Sequence, residues 1–204
     1  MRIVAAISAF ILAQGCATTP SVVTSEDQPD SVIARINEDD ERPKWLDESS
    51  SFKVDDGKVV SLGQTTIPGD NRVEAAYRIA ENNAKQGICS AIEQRLDFVF
   101  QNAEEGTDID ATQARSIGAE ACQMTTSSIR NGKRYWEKFA TTTDSGSRVT
   151  RYRVFATVEM PEGDFKRAVL AAIKKQQGKG GLSKDFADKV NDQWDRFVGM
   201  PETR

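Results

Sequence analysis

A chain of 204 residues that has no histidine and a formal charge of −4 excludes several kinds of protein at once. Without histidine there is no Ser-His-Asp triad, no imidazole acid/base pair and little prospect of a zinc or copper site. Acids outnumber bases 31 to 27, so the strongly basic footprint of a nucleic-acid binder is missing and no nucleic-acid partner is expected.

The chain opens with Met1-Arg2 and an apolar run from Ile3 to Leu12. That run falls well short of the roughly 20 residues a membrane-spanning helix needs, and a positive start with a short apolar core is export-signal anatomy. Ala13-Gln14-Gly15-Cys16 follows and resembles the lipobox of bacterial lipoproteins, although Leu12 stands one position early and Gln14 is polar where the pattern has a small residue. The resemblance implies a signal peptide over 1–15 and a palmitate-type lipid anchor on Cys16. The other reading is an ordinary signal peptide cut near Ala17. By the lipoprotein sorting rule, Ala17 in place of Asp implies the outer membrane, at its periplasmic face or the cell surface. Burial of acyl chains contributes about 0.8 kcal/mol per methylene, so three chains hold firmly where one holds weakly.

Residues 16–42 read as an acidic tether. Seven acids against Arg35 and Arg42 make this stretch −5. Loss of Arg2 with the signal peptide takes the chain from −4 to −5, which leaves the rest neutral. So little apolar surface cannot offset the entropy of ordering. A flexible coil of this length reaches about 25 to 30 Å.

From Pro43-Lys44-Trp45-Leu46 a single α+β domain is expected over 43–177. Lys58 to Ile67 reads as a strand bounded by Asp56-Gly57 and Pro68-Gly69, with Gly63 marking a bulge or a close backbone approach. A long helix follows, opened by Asn71 and Glu74 as a capping box, with one apolar face through Ala76, Tyr77, Ala80, Ala84, Ile88, Ala91, Ile92 and Leu96. Asp110 can cap a second, antiparallel helix running to about Ile129, with Asn131-Gly132 as its stop. Arg134 to Thr143 and Arg148 to Met160 then form a hairpin about a four-residue turn, Asp144-Ser145-Gly146-Ser147. A helix over 164–177 buries Phe165, Ala168, Val169, Ala172 and Ile173. Residues 178–204 read as a Gly-rich loop and a terminal amphipathic helix, capped by Ser183, that carries Phe186, Val190, Trp194 and Phe197. The expected architecture is one long helix and further helices on a small antiparallel sheet, after a lipidated disordered tether.

Chemistry has few candidates, and no catalytic, metal or cofactor residues are assigned. The acidic pairs Asp55-Asp56 and Glu104-Glu105 lie in turn-like polar stretches that a solvated loop explains. With Cys16 lipidated, Cys89 and Cys122 remain in a compartment where disulfides persist. If their helices fold back near residue 107, the two are offset by roughly 3 to 5 Å along the axis at ~1.5 Å per residue. That is within adjustment of the ~5.5 Å Cα separation of a disulfide. Two buried free thiols are the other reading, and no histidine is present to activate either thiol. The hairpin gathers Arg130, Lys133, Arg134, Lys138, Arg148, Arg151 and Arg153 against Glu137 and Asp144, a net of +5. Trp136 and Phe155 are expected as neighbours on its outer face. Trp136, Phe155, Arg151, Arg153 and Trp194 are therefore the candidates for partner binding, because Arg and aromatics concentrate at interface cores. A solvated strand face, or for Trp194 a place in the core, are the plainer readings.

Pro43-Lys44-Trp45, the strand through Leu62-Gly63, the helix with Ala76, Ala80 and Ala84, and Tyr152-Arg153-Val154-Phe155 leading to Met160-Pro161 together resemble the small surface-antigen family of bacterial lipoproteins, which includes the flagellar outer-membrane lipoproteins P. The resemblance spans roughly residues 43 to 173. It implies no enzyme activity and a structural or assembly role in the cell envelope, flagellum-associated in some members, with self or other envelope proteins as partners. The alternative is a monomeric binding module for an envelope ligand, held in a groove between helix and sheet.

Overall fold

The computed structural model describes residues 31–36, 41–48, 52–102, 111–179, 182 and 186–198, with the side chains of 98–102 and 111 set aside. The signal peptide, Cys16, Glu104-Glu105, Asp110 and Ser183 lie outside the described residues.

The chain folds as α+β, with helices against one five-stranded antiparallel sheet. Its strands are β1 (Ser31–Arg35), β2 (Lys53–Asp55), β3 (Lys58–Pro68), β4 (Arg130–Thr142) and β5 (Arg148–Pro161), ordered β1-β4-β5-β3-β2. Asp56 and Gly57, at φ 49° and 68°, make the two-residue turn between β2 and β3. Asp-Gly tolerates positive φ at both positions, as a tight hairpin requires.

The helix α2 (Val73–Asn102) lies across the inner face of the sheet. Ala76, Ala80, Ala84, Ile88, Ile92 and Leu96 are all fully buried on one side of it. Between the two meanings of Gly63, the close approach holds. The β3–β5 register runs without a break from Lys58↔Pro161 to Pro68↔Arg151. A Cβ on Gly63 would overlap the Ala80 carbonyl oxygen and the Ala84 amide nitrogen. Small residues on the helix and none on the strand let the two backbones meet.

The helix α3 (Ala111–Thr125) returns antiparallel to α2. Cys89 is bonded to Cys122 with Cα atoms 5.0 Å apart, and one turn further on Glu93 packs over Gly118. The helix ends before Ile129, earlier than its sequence suggests. Thr125 and Thr126 both donate through Oγ1 to the Cys122 carbonyl, at 2.7 and 3.1 Å, and close the last turn. Asn131-Gly132, expected as a helix stop, instead lies in β4 at a break in register. There the Lys133 amide donates to Thr157 Oγ1 at 2.7 Å.

Three further helices complete the inner layer: α4 (Glu162–Gln177), α5 (Phe186–Asp192) and α6 (Trp194–Val198). Phe165, Ala168, Val169, Ala172 and Ile173 are buried as expected. Phe186, Val190, Trp194 and Phe197 enter the same core as Val59, Ile88, Val158 and Phe165. The C-terminal helices are therefore part of the domain and not an appendage after a loop. Buried Arg95 ties α6 to α2: its Nη2 donates to the Val198 carbonyl at 3.5 Å and its guanidinium lies 4.1 Å from the Phe52 ring centre. A cation at a helix C-terminus also complements the helix dipole.

At the other end, the tether expected to run to Arg42 is overtaken by structure. Ser31 to Arg35 pairs with β4 as the edge strand β1, and α1 (Lys44–Glu48) covers part of the outer face of the sheet.

Candidate functional site

The expected aromatic patch on the hairpin does not form, and one residue of register is the reason. Thr142 pairs with Arg148, so the connecting loop has five residues, 143–147, not four. Thr143 N donates to the Ser147 carbonyl, and Gly146, at φ 78°, donates back to the Thr143 carbonyl. Shifting a strand by one residue moves every side chain to the opposite face. Trp136 accordingly lies opposite Val154 on the inner face, edge-on to Tyr152 with ring centres 5.3 Å apart. Phe155 lies opposite Tyr135 on the outer face and is only 3 % exposed. Leu46, Trp45 and Leu62 enclose it, and the Arg42 guanidinium sits 5.6 Å from its ring centre.

Trp194 is likewise no docking residue. It is buried, stacks on Phe197 with ring centres 5.1 Å apart, and donates through Nε1 to Glu162 Oε1 at 2.7 Å. Sequence spacing alone does not separate such a core face from a docking face.

The basic character of the hairpin is also reduced by partners that local sequence does not show. Arg134 pairs with Glu81 of α2 at 2.6 Å and sits over the Tyr77 ring. Arg153 pairs with Glu137 at 3.2 Å and covers the Phe139 ring at 4.5 Å. Glu137 is buried, with Arg35 of β1 opposite it in register. A buried carboxylate requires such pairing, since an isolated one costs far more than folding can tolerate. Arg151 alone of the candidate residues stays exposed. It lines an open groove of about 500 Å³ with Thr66, Phe139, Thr141 and Asp144 near the hairpin tip.

Burial raises the phenol pKa of Tyr77 and of Tyr135 above the usual 10.0. At Tyr77 Arg134 opposes the rise, whereas at Tyr135 Glu137 adds to it. An acid whose folded pKa is raised keeps its proton longer folded than unfolded. Its stabilisation is thus complete below pH ~10 and is lost as pH climbs through the folded value. Urea unfolding at pH 9 and pH 11 should show a loss at the higher pH that Tyr135→Phe reduces. An equal loss in that variant would exclude Tyr135 as a source.

The surface not legible in the sequence is the edge strand β1, which among the described residues has β4 as its one neighbour strand. Val32, Ile33 and Ile36 are 41 %, 52 % and 41 % exposed. They are three of the five exposed large hydrophobic residues described, within six consecutive positions. The signal was present as three β-branched residues in Ser31–Ile36, but the acidic surroundings masked it. The opposite edge is β2, only three residues long and carrying an ion pair between Lys53 and Asp55 at 3.2 Å.

Among the described residues no cluster of three or more Cys, Asp or Glu is arranged to hold a metal, and no helix is long and apolar enough to cross a membrane. In comparisons with known proteins, the chain matches no family model, no curated protein and no solved structure.

Proposed function

We propose that this chain is a lipid-anchored protein of the outer membrane with an assembly role in the cell envelope, acting through the edge of its sheet and not as an enzyme. The observation that carries this reading is the apolar strand β1 at the edge of the sheet, with β4 as its one neighbour strand among the described residues: Val32, Ile33 and the following Ile36 are exposed, and the strand begins 15 residues after Cys16. A strand at the edge of a sheet can offer backbone donors and acceptors to a partner, and soluble proteins usually limit this with Pro, Lys, a bulge or a covering loop. β1 has a bulge between Val32 and Ala34 but neither Pro nor Lys, and its apolar side chains remain exposed. Membership of the small surface-antigen lipoproteins is part of the same proposal.

Anchoring is tested by Cys16→Ala. Labelled palmitate should enter the unmodified chain and not the variant, and the variant should leave the membrane fraction for the soluble one. A variant that keeps both label and membrane association would overturn the lipid anchor.

A second reading, a monomeric binding module, is favoured by the hydroxyl-rich groove that Thr66, Thr141, Asp144 and Arg151 line. Such a groove suits a polar envelope ligand.

A further inference from the structure

We infer that the groove at the hairpin tip is a binding site for a sugar acid, a saccharide with one carboxylate per ring, whose carboxylate Arg151 holds. This assignment rests on the binding-module reading of the groove, names the class of its ligand, and is independent of assembly through β1.

The groove lies on the outer face of the sheet, toward the hairpin tip from the part that α1 covers at Tyr135 and Phe155. Alternate strand residues share a face. Phe139 and Thr141 of β4, Arg151 of β5 and Thr66 of β3 therefore line one side together. Arg151 stands between Phe139 and Pro68 in register, with a strand on either side of it. The volume of about 500 Å³ lies within the ~300 to 1,000 Å³ of small-molecule sites.

The polar groups here are unspent, unlike those around them. Arg153, the next cation along β5 on this face, pairs with Glu137 at 3.2 Å and covers the Phe139 ring. Arg151 is exposed and, among the described residues, its side chain makes no ion pair or hydrogen bond, although Asp144 shares the groove. The hydroxyls of Thr66, Thr141 and Thr142 also make no hydrogen bond among the described residues. Thr143, by contrast, donates its hydroxyl to the Ser147 carbonyl at 3.1 Å.

A guanidinium is a planar fork of donors that matches a carboxylate bidentately. Threonine hydroxyls both donate and accept, and an ionised Asp only accepts. The set thus offers one cation to an anion, and an acceptor with three hydroxyls to the hydroxyl groups of a sugar ring. A single carboxylate is met by Arg151 and leaves Asp144 to accept from the ligand. A phosphate would bring a charge of about −1.5 to −2 beside Asp144 with the same lone cation to meet it, so the balance of charge favours the sugar acid.

The test is calorimetric titration of the full chain in detergent with trigalacturonate, with maltotriose as the neutral trisaccharide and with inorganic phosphate. Arg151→Ala, Arg151→Lys and, on the inner face, Lys138→Ala are titrated beside it, and unchanged thermal midpoints verify that each variant folds. Trigalacturonate should bind in preference to the other two. Arg151→Ala should weaken it about tenfold or more, the scale of one charge-assisted pair. Arg151→Lys should fall between, because an ammonium is a point charge without the fork, and Lys138→Ala should change nothing. No binding of trigalacturonate, binding that Arg151→Ala leaves intact, or an equal loss in Lys138→Ala would overturn the inference. Maltotriose or phosphate bound in its place and lost in Arg151→Ala would overturn the sugar acid while the groove remained a binding site, so the ligand class and the binding-module reading fail separately.

Discussion

Gly63→Val is expected to leave the chain unable to reach its native fold, and Gly63→Ala to lower its stability by about 3 kcal/mol or more. Overpacking a core costs roughly 1 to 3 kcal/mol where side chains can shift aside. Here the atoms in the way are the Ala80 carbonyl oxygen and the Ala84 amide nitrogen, both helix backbone. α2 can relieve the overlap only by moving as a unit away from β3. Doing so opens the contact of Ala76 and Ala80 with Val154 and Ala156. The loss is large against a total of about 5 to 15 kcal/mol for a typical domain. Gly163→Ala is the control, since a Cβ there meets only Arg167 Nη1 at 3.8 Å, and it should be neutral or slightly stabilising. Urea midpoints decide the matter. An unchanged midpoint in Gly63→Ala would mean that α2 is not seated on β3 as described.

Cys89→Ser with Cys122→Ser is expected to cost about 3 to 4 kcal/mol, from the loop-closure entropy of a bond spanning 33 residues. For a domain of this size that is roughly 10 °C in thermal midpoint. Reductant should produce the same loss in the unmodified chain and none in the double variant. Equal midpoints for oxidised and reduced protein would show that the bond contributes nothing to stability.

The helices were legible because a period of 3.6 needs no partner to be visible. Ala76, Ala80 and Ala84 announce both the buried face of α2 and its close approach to the sheet. The cysteine pair was legible only as two alternatives, bonded or free, because its geometry depends on where the chain turns back between the helices. The hairpin was legible, but the faces of β4 were not. One more residue in the 143–147 loop reverses β4 against β5, which separates Trp136 from Phe155. No local pattern announces α1, five residues that cover Phe155, or the carboxylates of Glu81 and Glu137 that pair with Arg134 and Arg153. Strand β1 was hidden because its partner β4 lies a hundred residues away, and composition averaged over an acidic stretch cannot reveal long-range pairing.

Light scattering of the soluble chain beginning at Ala17, across micromolar to millimolar concentration, tests the assembly claim most directly. Starting before Ser31 is essential, because a shorter form loses β1. Mass should rise above that of one chain, and Ile33→Lys, which places a charge among the exposed apolar side chains of β1, should hold it at one. A single-chain mass throughout the range, or the same rise in Ile33→Lys, would contradict assembly through β1.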